Sequence, residues 1–211
     1  MTILPLFLAC VPIVVQAQSI QARIAKVDAA GATLHDVRLR LDWPADAPDG
    51  QLRLQAGDID AGALGWRFRS IDWRCPLRRE TTGGDTRWRC EGPLRSDQGA
   101  PLQLSLALDA VTTRATLTGD GARVGLSRDA AASDATRIDL RRVPAAWVEA
   151  LVRAGWPSSR LTGGTLGGDV RIATPAGGPM RVDADLAIAG LALETEDGSI
   201  AAGDVDGDLE V

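Results

Sequence analysis

The sequence predicts a mainly β protein, an antiparallel β-meander carrying one short α-helix, and three observations predict it. The composition is poor in helix formers, with 22 Asp against six Glu and 23 Gly among 211 residues, and both Asp and Gly disfavour helix interiors. From His35 onward apolar and polar residues alternate with a period of two. The alternating runs, five to nine residues long, are separated by Gly, Pro and Asp, as short strands joined by tight turns require.

At the N-terminus, Ile3 to Val15 form a 13-residue apolar run ending at Val15-Gln16-Ala17, a small-residue spacing that fits cleavage before Gln18. The run is shorter than the roughly 20 residues that cross a bilayer, and Pro5 and Pro12 interrupt it. The expected organisation is a signal peptide over 1–17 and a β-rich domain over 18–211, the latter complete or the N-terminal part of a longer chain. Phe7-Leu8-Ala9-Cys10 also resembles a lipoprotein box, with lipidation at Cys10 as the alternative. No later stretch is apolar for long enough to span a membrane, so the expected location is a bacterial periplasm, free or membrane-associated.

The first strand signal is Val37, Leu39, Leu41 and Trp43 alternating with Asp36, Arg38, Arg40 and Asp42. One face is apolar and the other charged, as in a half-buried strand. The pattern recurs in Leu52-Arg53-Leu54, in Leu64 to Phe68, in Leu102, Leu104, Leu106 and Leu108, and in Val124-Gly125-Leu126. It continues through Ile138-Asp139-Leu140, Val170-Arg171-Ile172, and Met180, Val182, Ala184, Leu186 and Ile188. Turn chemistry falls at 44–50, 83–85, 119–121, 175–179 and 197–198. A single helix is expected over Pro144–Ala154: Pro144 suits the first turn, Trp147, Leu151 and Ala154 share a face, and Gly155 and Pro157 end it. Its stripe is expected to pack over one end of the sheet.

Cys75 and Cys90 lie at equivalent points of two Trp-Arg-Cys triplets flanking Gly83-Gly84. If they oppose each other in a hairpin, Trp73 and Trp88 share their face and a structural disulfide closes the loop, contributing roughly 3 kcal/mol. The spacing is wrong for a Cys-x-x-Cys redox pair, and one His cannot complete a zinc site.

Little else carries chemistry. His35 has no Ser or Cys partner motif for nucleophilic catalysis. The pairs Gly163-Gly164 and Gly167-Gly168 precede no Gly-Lys-Ser/Thr, and read as bulges or turns instead of a phosphate loop. No cofactor is implied. Net charge is −5, which speaks against a nucleic-acid partner. It is unevenly spread: 67–95 carries eight Arg against four acids, while 161–211 carries two Arg against ten. The basic stretch is either a solvated strand face or a receiver of anionic headgroups.

A leader, a meander alternating small or branched apolar residues with Arg and Asp, and a short Trp-containing helix leading into Leu161-Thr-Gly-Gly-Thr-Leu-Gly-Gly-Asp-Val-Arg-Ile172 resemble the AsmA/TamB-type superfamily of bacterial envelope proteins. The YdbH-like branch is closest in texture, and the type II secretion N protein is related in design. The resemblance implies a long twisted sheet forming an open groove (β-taco-like) that conducts phospholipid between membranes without turnover. Candidate lining residues are then Val37, Leu39, Leu41, Leu104, Leu106, Val182, Leu186 and Ile188. A β-sandwich interaction module of the envelope or of a secretion system would use the same positions as its core, and a carbohydrate-active enzyme is a third reading. Finally, the strand pattern runs to the last residues with no Pro or Lys to guard an edge, which offers a C-terminal sheet edge to an envelope partner.

Overall fold

A computed structural model describes residues 18–29, 32–45, 47–61, 66–97 and 99–210. The proposed leader with Cys10, and Leu64 and Gly65, lie outside the described residues. Twelve strands follow one another: β1 (Gln18–Ala29), β2 (Ala32–Trp43), β3 (Asp49–Ala61), β4 (Trp66–Thr82), β5 (Asp85–Arg95) and β6 (Leu102–Leu108). After them come β7 (Thr112–Gly119), β8 (Ala122–Asp129), β9 (Ala135–Pro144), β10 (Ser159–Ala173), β11 (Arg181–Thr195) and β12 (Ala201–Glu210). All lie in one sheet, in chain order, each antiparallel to the next, with β1 and β12 as open edges. The predicted meander is therefore present, and it takes the open form: a sandwich would need a second sheet. β1 is not announced by the sequence pattern, because only Ile20, Ala22 and Ile24 carry its alternation.

Residues paired directly across a ladder point to the same side, so the register alone defines two faces. One line of partners runs Gly50, Leu77, Cys90, Leu106, Ala115, Leu126, Ile138, Val170 and Ala184, crossing β3 to β11 without a polar side chain. A second runs Ile20, Leu41, Leu52 and Cys75 from β1 to β4, and resumes on β5 as Gly92, Leu104, Leu117, Val124, Leu140, Gly168, Leu186 and Leu209. The other face is charged: Arg40, Arg53 and Arg74 are successive partners on it, as are Asp139, Asp169, Asp185 and Glu210.

Two transverse rows interrupt the alternation. Asp36 and Ser70 adopt φ of 51° and 53°, with Gly57 between them in the ladder. A left-handed residue inserts an extra position on one side. Leu34 and Val37, Ala56 and Ile59, and Phe68 and Ile71 are accordingly three apart, and they pack together on the apolar face. Arg142, Gly164, Gly190 and Asp204, with φ of 48°, 97°, 58° and 56°, perform the same inversion in β9 to β12. The Gly163-Gly164 and Gly167-Gly168 pairs sit at register shifts of β10, which is the bulge use expected of them.

The helical segment falls where predicted but starts tighter, as a 3-10 turn over Ala145–Val148 continuing into α1 (Glu149–Gly155). Its expected packing is corrected. Ala145 is the buried residue, whereas Leu151 and Val152 stay exposed, because a two-turn helix tied to the end of β10 covers little of the sheet.

Candidate functional site

The apolar face is the feature that the fold builds, and its best-packed part spans β2 to β6. Trp73, Cys75, Leu77 and Cys90 are buried there, with Leu41, Trp43, Leu52, Leu54, Trp88, Leu94, Leu104 and Leu106 packed against them. Glycine makes this possible at one point. Trp43 lies over Gly50, where a Cβ would fall 2.9 Å from the ring atom Cζ3, so only a residue without a side chain lets the indole cross β3. It then meets Trp88 edge to face at 5.6 Å between centroids, although β2 and β5 are three strand spacings, about 14 Å, apart. Its Nε1 donates to the carbonyl oxygen of Ala47 at 3.0 Å. Trp73 reaches likewise across β5, its Nε1 donating to the carbonyl oxygens of Gly92 and Leu104, each at 3.2 Å.

Cys75 and Cys90 stand at disulfide distance, with Cα atoms 5.4 Å apart. The expected register is corrected, however: Cys90 is paired with Leu77, so the cysteines are diagonal and not opposed. Between the Trp73–Leu94 and Leu77–Cys90 pairs the ladder is interrupted, and Pro76 and Pro93, which have no N–H to donate, fall in that interval. Gly92 also sits there, and a Cβ on it would overlap the Arg74 carbonyl. The patch that joins both tryptophans and both cysteines nevertheless lies on one face, as the triplets predict.

All eight lining candidates lie on this same face. Val37 is buried in the Leu34–Ile71 cluster; Leu39, Leu41, Leu104, Leu106, Leu186 and Ile188 are half-buried; Val182 is 43% exposed. No described side chain larger than a cysteine or serine falls below 2% exposure. Among the described residues nothing covers this face as a second layer would.

Of the two roles open to the basic stretch, the register favours the solvated strand face for all but one arginine. Of its eight arginines, Arg67, Arg69, Arg74, Arg78, Arg87, Arg89 and Arg95 lie on the charged face by register. Several pair with acids there, among them Arg74 with Asp72, Arg87 with Asp109 and Arg89 with Glu80. Burial works to raise the Asp72 pKa, but hydrogen bonds from Arg53 and Arg74 overcome it and hold the carboxyl below its ordinary range. Arg79 is the exception. It continues the series Trp73, Cys75, Leu77 at the next alternate position, pairs with Trp88, and places its guanidinium 5.8 Å and 6.0 Å from the centroids of Trp43 and Trp88. Simple alternation would have found it; counting charge over the whole stretch hid it.

Among the described residues, no cluster of His, Cys, Asp and Glu has the spacing to hold a metal ion, and no helix is long and apolar enough to cross a membrane. A cleft of about 570 Å3 lies on the charged face among Glu80, Arg87, Asp109 and Arg114, where ion pairs occupy the acids. No family model matches the chain, and no curated protein or solved structure does so either.

Proposed function

We propose that this chain is a non-enzymatic acyl-lipid-binding or lipid-conducting domain of the bacterial envelope, working in the periplasm in the manner of the AsmA/TamB-type proteins that it resembles. One observation carries the reading: apolar lines cross nearly every strand on one face, and no described residue covers that face as a second layer. A sheet of 12 twisted strands curls, and the lateral Trp43–Trp88 contact fits a curl that turns the apolar face inward. Withdrawing a 16-carbon acyl chain from water gains on the order of 10 kcal/mol at about 0.8 kcal/mol per methylene. Such a trough holds its cargo by continuity, without a shaped pocket, and lets it slide.

Photocrosslinking tests the reading. Probes at Leu39, Leu106 and Leu186, on the apolar face, are expected to capture phospholipid in cells, and probes at Arg38, Ser105 and Asp185, on the charged face, are not. Equal capture from both faces, or none from either, rejects it. The edge of β12 supports an additional role: all of its residues are exposed, with Val205 and Leu209 on the apolar side, so an envelope partner can extend the sheet by strand addition.

A further inference from the structure

The apolar face is not uniformly neutral. Following the register outward to the last line before the turns at 109–111 and 130–134, with Thr81 and Thr86 beyond it toward the turn at 83–84, the partners read Arg79, Trp88, Leu108, Thr113 and Arg128. Arg79 and Arg128 are the charged residues that the described ladders of β2 to β11 set on this face, and no acid accompanies them. Both are exposed. Arg128 donates from one guanidinium nitrogen to the carbonyl of Ser133 and keeps its remaining donors available. Neither forms an ion pair among the described residues.

We infer that this end of the apolar face is a headgroup rim selective for anionic phospholipids, an inference that rests on the lipid-trough reading and names its cargo class and polarity. A guanidinium pairs bidentately with phosphate. The two arginines flank the line of Trp88, Leu108 and Thr113, so a phosphate held there directs its acyl chains along the strands away from the turns. The length suffices: from Arg79 to Ser70, nine residues of β4 extend about 30 Å, against roughly 15 Å for the tails of one leaflet. Discrimination against choline has a structural source. The indole faces of Trp43 and Trp88, which would otherwise attract a quaternary ammonium, already hold the Arg79 guanidinium.

The test uses the protein's own tryptophan fluorescence, quenched by vesicles of brominated-acyl phosphatidylglycerol or brominated-acyl phosphatidylcholine. Wild type is expected to be half-quenched at a phosphatidylglycerol concentration lower by at least about fivefold, the effect of a single arginine at an anionic lipid surface. The Arg79→Gln/Arg128→Gln variant should lose this preference while its response to phosphatidylcholine and its far-UV spectrum stay unchanged. Arg79→Lys/Arg128→Lys should keep most of it. Arg114→Gln/Arg137→Gln removes the same charge from the opposite face and should keep all of it. Equal quenching of wild type by both lipids, or equal loss in the opposite-face variant, overturns the rim while leaving the trough intact. Quenching by neither lipid overturns the trough and the rim together.

Discussion

β2 to β5 and β10 to β12 obey the same rule of alternation, yet they close to very different degrees. The first region buries Val37, Ala56, Ile71, Trp73, Cys75, Leu77 and Cys90; in the second, burial is confined to Ser159, Leu161, Leu166 and Thr195 of β10 and β11, and every residue of β12 is exposed. Neither has an opposing layer among the described residues, so the difference comes from within the sheet. In β2 to β5 long side chains lean sideways over glycines and reach across two or three strands, so that the sheet packs against itself. In β10 to β12 this face carries no tryptophan, and Gly168, Ala184 and Gly207 stand among its leucines and isoleucine and cannot lean. An open sheet can thus build a core laterally at one end and leave a bare apolar surface at the other.

The largest expected effect comes from removing the residue that leans furthest. Trp73→Ala takes away a side chain 3% exposed and the indole donor to Gly92 and Leu104, and should cost about 4 kcal/mol. Leu186→Ala, half-buried on β11, should cost about 1 kcal/mol. Urea unfolding of the two variants measures the contrast, and equal costs would show that closure is uniform along the sheet.

Next comes the covalent tie across the interrupted β4–β5 ladder. Protein isolated from periplasm without reductant should begin at Gln18 and weigh two hydrogens less than the free dithiol. Replacing both cysteines by serine should cost roughly 3 kcal/mol. Free thiols at Cys75 and Cys90, or a disulfide-linked dimer, would contradict this.

The strands and their apolar face were legible in the sequence, the difference in closure was not, and what escaped has a physical reason. β6 matches its four-leucine alternation residue for residue, and the face of the Trp-Arg-Cys triplets follows from period two alone. The register of those triplets does not follow. It depends on an interrupted ladder whose signals, Pro76, Gly92 and Pro93, look like ordinary strand-edge residues. β1 escaped because its alternation inverts: Ile20, Ala22 and Ile24 face the apolar side, but Val27, three residues on, packs there too. The inverting residues Asp36 and Ser70 carry no compositional mark, since their left-handed conformation is imposed by the row they share. Arg79 was within reach, being the fourth member of an unbroken alternation.

The weakly closed region should tolerate substitution except where its backbone is strained. Gly168 has φ 125°, and a Cβ there would lie 3.0 Å from the Leu186 Cα, with the Asp185 carbonyl nearer still. Gly168→Ala should therefore cost about 2 kcal/mol. A side chain at Gly203 or Gly207 meets nothing within 4 Å, and alanine at either should be neutral to within about 0.5 kcal/mol. Thermal unfolding of the three variants tests this, and a neutral Gly168→Ala would remove the case for a strained bulge.

The smallest effect concerns acid, where the two regions again differ in what protects a carboxylate. In the first, Asp72 depends on the guanidinium groups of Arg53 and Arg74. In the turn between β11 and β12, Asp197 is held down to about 2 by hydrogen bonds from the Thr195 hydroxyl and from the amide and hydroxyl of Ser199. Because the folded pKa lies below the ordinary 3.8, the turn's stabilisation is complete above that value and is lost as pH falls toward about 2. The Asp197 carboxyl carbon resonance should titrate with a midpoint near 2, and the Ser199 amide proton, which donates to the Asp197 Oδ1 at 3.1 Å, should shift with it. In Asp197→Asn the Ser199 shift should be flat over the same range. A midpoint near 3.8 would mean that the turn does not hold its carboxylate, and the region would then lack even this local brace against opening at the β12 edge.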